Sequence, residues 1–418
     1  MPKIAFLECS RCGNRVSAET PQTLCPVDAG SLYVRYDMEA LKRTAVREKP
    51  AALAAGSSSS PGMWRYRDVL PDAQPVTLGE GWTPMIRSKR YEGLLIKEEG
   101  ANPTGTFKAR GLSMAVTMAK YYGLRHLAVP SAGNAAGALA AYAAAAGIAA
   151  HIFMPRDVPL ANYLEGVLYG ADVTLVDGLI SDCARLVGEK IKHQKENGVA
   201  AEDIWFDVST LKEPFRVEGK KTMGYELVEQ LGWEYPDAIF YPTGGGVGLI
   251  GMWKAFGEME ELGWVKGRRP RMYALQAAGC QPITEAYEQH KGTSEFYNNA
   301  ETFAAGLRVP KPYGDYLILD ILRESGGKAV SSNDTRIMAS IVDWARHEGL
   351  FLSPEGAAAT AAFDQLRATG EIKPGERVVL FNTGSGLKYT DTVAEAMHLR
   401  RPGTLPASLP VGGIITPV

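Results

Sequence analysis

Short apolar and β-branched runs recur along the chain: LLIK (94–97), HLAVP (126–130), HIFMP (151–155), DVTLV (172–176), AIFYPT (238–243), MYALQ (272–276) and RVVLFNT (377–383). Helix-length segments separate most of them, among them Thr106 to Tyr122, Asn134 to Ala146 and Asp334 to His347. Alternation of strand and helix predicts an α/β protein with parallel, doubly wound sheets covered by helices on both faces. Seven strands are expected to divide into two sheets, with a cleft between two lobes. In such sheets ligands bind at the carboxyl ends of strands, where helix N-termini offer unpaired N–H groups. Three strand-to-helix loops therefore stand out: SAGNAAG (131–137), TGGGVG (243–248) and TGSG (383–386).

Bulk composition narrows the class. The chain has 418 residues, which suggests two or three domains, with 45% hydrophobic and 22% charged residues and a formal net charge of -2. Nothing in that balance calls for nucleic acid. No uninterrupted apolar stretch reaches the roughly 18 residues of a membrane span, and the start, MPKIAFLECSRC, lacks a signal-peptide core. A cytoplasmic enzyme of small molecules is expected. The small-residue tract AALAAGSSSSPG (51–62) reads as a linker. It divides the chain into a head (1–48), the linker (49–62), a two-lobed body (63–400, smaller lobe about 110–230) and an extended tail (401–418). Three of the five cysteines lie in the head, where Cys9, Cys12 and Cys25 with Asp28 have the spacing of a zinc ribbon whose fourth cysteine is an aspartate. Zinc accepts a carboxylate, so the set suits a structural metal; an eroded ribbon is the alternative. Cys183 and Cys280 read as core or cleft residues. The six histidines are scattered, and neither HExxH nor GxSxG appears, so hydrolase readings have no support.

The loops and one lysine carry the chemistry. Lys108, in NPTGTFKARG (102–111), is followed by Leu112, Met114, Ala115 and Met118 and preceded by Phe107. Apolar surroundings favour loss of the ammonium proton, as a lysine forming a Schiff base with pyridoxal 5′-phosphate requires; an ordinary lysine near a helix start is the other reading. Glycines at 244, 245, 246 and 248, with Val247, let backbone approach an anion and read as a cradle for the cofactor's phosphate, or as a tight turn. Ser131, Ala132 and Gly133 would present N–H groups to a substrate carboxylate, and Asn134 an amide to the cofactor's phenolic oxygen, unless Asn134 caps the alanine-rich helix after it. Thr383 or Ser385 would meet the pyridine nitrogen. A neutral hydroxyl there need not keep the ring protonated.

Taken in order, MWRYRDVLP (63–71), LGEGWTPM (78–85), NPTGTFKARG, SAGNAAGALAAYAA (131–144), YGADV (169–173), PFRVEGKKT (214–222), PTGGGVGLIGMWKAF (242–256) and NTGSGLK (382–388) resemble the threonine synthases. The resemblance implies a two-lobed fold-type II pyridoxal-phosphate enzyme, with Lys108 as Schiff-base lysine, Asn134 at the 3′ oxygen, Gly244 to Gly248 at the phosphate and Thr383 at the ring nitrogen. It further implies a lyase of threonine biosynthesis that converts O-phosphohomoserine and water to threonine and phosphate, and a homodimer. Three positions depart from the pattern: Ala109 stands where an acidic residue is usual, Asn162 where a lysine is expected, and GGGVG where many members have GNAGN. Loss of a cation weakens binding of a phosphate dianion, for which Arg156, Arg216 or Lys221 would compensate. Elimination or replacement on serine, threonine or phosphoserine, of the ammonia-lyase or cysteate synthase type, is therefore the alternative. A nucleotide-binding protein touching RNA would need an early GxGxxG and a basic surface, and neither is present.

Overall fold

The chain forms three sheets in the computed structural model, which describes residues 4–47, 62–131 and 133–397. The tail, Ala132 and the linker before Gly62 lie outside the described residues. The head comprises β1 (Ile4–Cys9), β2 (Arg15–Val16), β3 (Leu32–Tyr36) and α1 (Met38–Thr44). The body continues through β4 (Met85–Arg87), β5 (Leu94–Glu98), α2 (Lys108–Tyr121), β6 (His126–Pro130), α3 (Asn134–Ala146), β7 (Ala149–Pro155), α4 (Leu160–Leu168), β8 (Asp172–Val176), α5 (Ile180–Glu196) and β9 (Phe206–Asp207). It ends with α6 (Phe215–Gln230), β10 (Ala238–Pro242), α7 (Val247–Glu261), β11 (Arg271–Ala277), α8 (Pro282–Glu288), α9 (Asp315–Ser325), β12 (Lys328–Ser332), α10 (Asp334–Glu348), α11 (Pro354–Ala368), β13 (Val378–Asn382) and α12 (Thr390–Ala396).

Every strand expected from an apolar run is present, with ends displaced by no more than two residues. The larger sheet has the order β12-β11-β10-β13-β5-β4 and is parallel except for β4 at its edge. The smaller sheet, β8-β7-β6-β9, is parallel throughout. Alternation along the strands builds two cores on the larger sheet. Leu94, Ile96, Phe240, Val378 and Leu380 face Trp344 of α10 and the alanines of α11, while Leu95, Ile239, Tyr241, Val379 and Phe381 face α6, α7 and α9. A third core joins Leu127, Val129, Ile152 and Met154 of the smaller sheet to α2 and α3. Alanines at 136, 138, 140 and 143 of α3 are buried, and their small side chains let that helix sit close to its neighbours.

Two features tie these layers to the site. Arg110 of α2 is fully buried and forms a bidentate pair with Glu99 (both 2.7 Å) and two bonds to Glu226 of α6 (2.7 and 2.9 Å). Lys97 of β5 donates to the same Glu226 (2.5 Å), to Gln230 (2.8 Å) and to the Thr83 carbonyl (2.6 Å). The head, for its part, is not a loose appendage. Leu7, Leu32, Val34 and Tyr36 belong to the same core as α6 and α7. The Tyr36 hydroxyl donates to Glu218 (2.5 Å), Ser10 and Tyr316 share a hydrogen bond of 2.6 Å, and the Tyr313 hydroxyl donates to the Ala29 carbonyl (2.5 Å).

Candidate active site

A cleft of about 380 Å³ opens at the carboxyl ends of both parallel sheets. It brings together Lys108, Ser131, Gly133, Asn134, Arg216, Gly244 to Gly248 and Thr383, residues that the sequence had singled out from five separate segments. Lys108 opens α2, and its amine lies 4.1 Å from the centroid of the Phe107 ring. Burial, reinforced by the Arg216 guanidinium and opposed by Glu355, lowers the amine's pKa to about 7. An amine so placed is largely neutral just above neutral pH and can both attack an aldehyde and move a proton.

The glycine loop admits nothing larger. A Cβ on Gly244 would lie 2.3 Å from the Gly306 carbonyl oxygen, and one on Gly248 would lie 1.9 Å from the Tyr241 hydroxyl. Gly246 has φ +74° directly before Val247, the first residue of α7. The first turn of a helix leaves its N–H groups unpaired, so this cradle fits a phosphate. Asn134 does not act as a cap; the Ser131 hydroxyl does, accepting from Gly133 and Ala136 (both 3.1 Å). The Asn134 amide instead donates to the Tyr389 hydroxyl (3.0 Å), and its carbonyl oxygen is buried without a partner among the described residues. A lysine, a glycine cradle and a half-satisfied amide on one cleft fit the groups of pyridoxal phosphate.

Arg216 is wholly buried at the start of α6. One of its nitrogens donates to the Val208 carbonyl (2.7 Å), whereas Nε and the second terminal nitrogen have no partner among the described residues. Burial lowers its pKa to about 10, with Glu213 and Asp207 opposing, so it remains a cation at neutral pH. Of the other cations considered, Arg156 lies outside the cleft, 59% exposed and paired with Asp177 (2.5 Å). Lys221 is buried against Glu218 (2.6 Å) and Glu258 (3.0 Å), also away from the cleft. Asn162, buried in α4, sits beneath Gly133, where a Cβ would come within 2.3 Å of its amide nitrogen. Thr383 lines the cleft; Ser385 turns away and caps the turn at Leu387 (3.3 Å). Cys183 and Cys280 are buried outside the cleft lining.

Glu355, Tyr389 and Tyr241 also line the cleft and were not expected there. Glu355 and Tyr389 are bonded to each other (2.7 Å). The segment SPEG reads as an ordinary helix start, and indeed the Ser353 hydroxyl caps α11 at Gly356 (3.1 Å). No local signal separates that glutamate from a helix-dipole carboxylate.

In the head, Cys9, Cys12, Cys25 and Asp28 come together with ligand atoms within 4.8 Å of one another. The Cys12 and Cys25 sulfurs are 3.7 Å apart, and the Cys9 sulfur is 3.2 Å from an Asp28 oxygen. Thiolates bound at about 2.3 Å to a tetrahedral zinc lie about 3.8 Å apart, so the set has the size of a zinc site.

Residues 76–384 match the family model described as pyridoxal-phosphate dependent enzyme. The chain is 33% identical to the threonine synthase of Methanocaldococcus jannaschii, over 93% of this chain and 94% of that protein. It is 34% identical to that of Methanosarcina acetivorans, over 93% of each. Among solved structures, a fungal L-serine ammonia-lyase from Rhizomucor miehei superposes with a TM-score of 0.61 at 18% identity, over 77% of this chain and 99% of that one, a likeness of fold alone. No helix among the described residues is long and apolar enough to cross a membrane.

Proposed function

The chain belongs to the pyridoxal-phosphate dependent enzymes, among the relatives of the threonine synthases, and from that premise we propose that it is a lyase converting O-phosphohomoserine and water to threonine and phosphate. When bound, pyridoxal phosphate supplies an aldehyde that links to the substrate's amino group and an electron-withdrawing ring that acidifies the neighbouring C–H bonds. Lys108 is assigned as the residue that holds the cofactor and then carries protons at the substrate's α carbon. An amine with a pKa of about 7 serves as base and acid in turn at working pH. Gly244 to Gly248 are assigned to the cofactor's phosphate, Asn134 to its phenolic oxygen and Thr383 to the ring's nitrogen edge. Ser131 and Gly133, which line the same cleft, are assigned to the substrate's carboxylate.

One observation carries the substrate reading: a buried guanidinium with two unpaired nitrogens lines the same cleft as Lys108. A second anion, the leaving phosphate, would satisfy it. Arg216 thereby replaces the cation that Asn162 does not provide. Supplied with O-phosphohomoserine, the holoenzyme is expected to release phosphate and threonine in equal amounts. Arg216→Ala should raise KM about 10- to 100-fold, the value of one or two charge-assisted hydrogen bonds. Formation of 2-oxobutanoate or pyruvate from threonine or serine, with O-phosphohomoserine untouched, would instead establish the ammonia-lyase alternative.

The head is read as a structural zinc site formed by Cys9, Cys12, Cys25 and Asp28. Protein purified without chelators should contain about one zinc per chain by elemental analysis, and Cys12→Ser should lose it. A metal content unchanged by that substitution would remove the site. The cytoplasm is the proposed compartment. A homodimer is the proposed assembly, supported by the apolar stripe that Leu160, Leu164, Val167 and Leu168 leave exposed on α4.

A further inference from the structure

Lys220 of α6 is fully buried, and among the described residues no carboxylate pairs with it. Each of the other buried lysines meets a glutamate: Lys97 meets Glu226, Lys221 meets Glu218 and Glu258, and Lys388 meets Glu165. A buried ammonium without a counter-ion is costly, so an amine kept in such a place is a functional candidate. Burial first, then the charges of Lys108 and Arg216, outweigh Glu99 and push its pKa well below the ordinary 10.5, which favours the neutral amine.

Its neighbours show what the amine does. Its one hydrogen bond among the described residues is donated to the Phe107 carbonyl, and it lies 4.0 Å from the centroid of the Phe107 ring. Phe107 immediately precedes Lys108, whose own amine lies 4.1 Å from the same centroid. The Phe107 N–H is held in turn by the Thr383 carbonyl (3.0 Å), so both polar ends of this residue are pinned. Two glycines keep open the slot through which the Lys220 side chain arrives: a Cβ on Gly111 of α2 would lie 2.8 Å from its Cε, and one on Gly251 of α7 would lie 2.9 Å from its Cβ. An aromatic face attracts a cation, but two amines on one ring repel when both are protonated.

We propose that Lys220 is a positioning residue for Lys108: its amine fixes the Phe107 carbonyl, and with it the peptide from which Lys108 extends, while leaving the Phe107 ring to seat the ammonium that Lys108 becomes on taking a proton. The inference rests on the role assigned to Lys108 above. A permanent cation at position 220 would compete for the ring and repel the protonated Lys108. An apolar side chain there would release the peptide and let the Lys108 amine drift from the atom it must reach.

The test begins with native holoenzyme carrying nitrogen-15 at its lysine side-chain nitrogens. At neutral pH one resonance should stand at the position of a neutral amine, because Lys108 is then joined to the cofactor, and Lys220→Met should remove it. Lys220→Met should also lower kcat about 100-fold, with cofactor bound and KM for O-phosphohomoserine within about two-fold of native. Lys220→Arg should move the pH midpoint of cofactor capture by the apoprotein about one pH unit below the native one, which a merely structural lysine would not do. No neutral amine in the native spectrum, a native kcat in Lys220→Met, or an unmoved midpoint in Lys220→Arg overturns the inference alone; should the methionine variant not fold, the native spectrum and the arginine variant decide. Native protein that does not take up pyridoxal phosphate on Lys108 overturns the proposed function with it.

Discussion

Lys108→Ala is expected to abolish the visible absorbance of lysine-bound cofactor and to lower turnover about 10,000-fold, because one amine both anchors the cofactor and carries the protons. The fold should survive. Among the described residues the Lys108 amine has no hydrogen bond and lies against the Phe107 ring, and burial, with Arg216 adding to it and Glu355 opposing, lowers its pKa from an ordinary 10.5 to about 7. The sign follows from linkage. Between pH 7 and 10.5 the unfolded chain binds a proton at this position that the folded chain does not, so stability of the cofactor-free protein rises with pH across that window. Lys108→Ala should flatten that rise. The same pKa makes capture of the cofactor by the native apoprotein accelerate up to about pH 8 and then level off. A rate still climbing above pH 10, measured by the growth of the visible band, would mean that Lys108 is an ordinary solvated lysine.

The largest effect on stability is expected from Glu226→Ala. Two cations, Arg110 and Lys97, converge on this one fully buried carboxylate. Burial alone would raise the carboxyl's pKa, but the two cations outweigh it and hold it well below its ordinary 4.5. Removing one partner from a buried ion network leaves charge uncompensated and costs about 3–5 kcal/mol, so thermal unfolding should begin several degrees lower. The depressed pKa gives the native network its pH window: its contribution is complete above the ordinary glutamate pKa and is lost on acidification through the folded one. Arg110 lies two residues beyond Lys108 on α2, so turnover should fall as well. If chemical denaturation of Glu226→Ala matched the native protein, the network would be an expendable feature of the core.

The fold was legible where burial is two-sided. HLAVP and AIFYPT read as strands because each is covered by helices on both faces and so contains almost nothing polar. The strand KAVSS (328–332) escaped notice because it lies at the sheet's edge and ends in two serines. Arg156 and Arg216 were equivalent in sequence, each beside a strand or helix end. Only tertiary burial distinguishes them, leaving the first at the surface and the second sealed in the cleft wall. Glu355 and Tyr389 were illegible for a further reason: their meaning arises from Asn134, 255 positions before Tyr389, and nothing local encodes that meeting.

The union of head and body has an evolutionary corollary. Tyr36 is bonded to Glu218, two residues past Arg216 on the same helix, and the Tyr313 ring that lines the cleft is tethered by its hydroxyl to the loop between Cys25 and Gly30. A segment stitched in this way cannot be traded between proteins like a cassette. A lineage that discards it must refill the apolar hollow left by Leu7, Leu32 and Val34 and find new anchorage for one wall of its catalytic chamber.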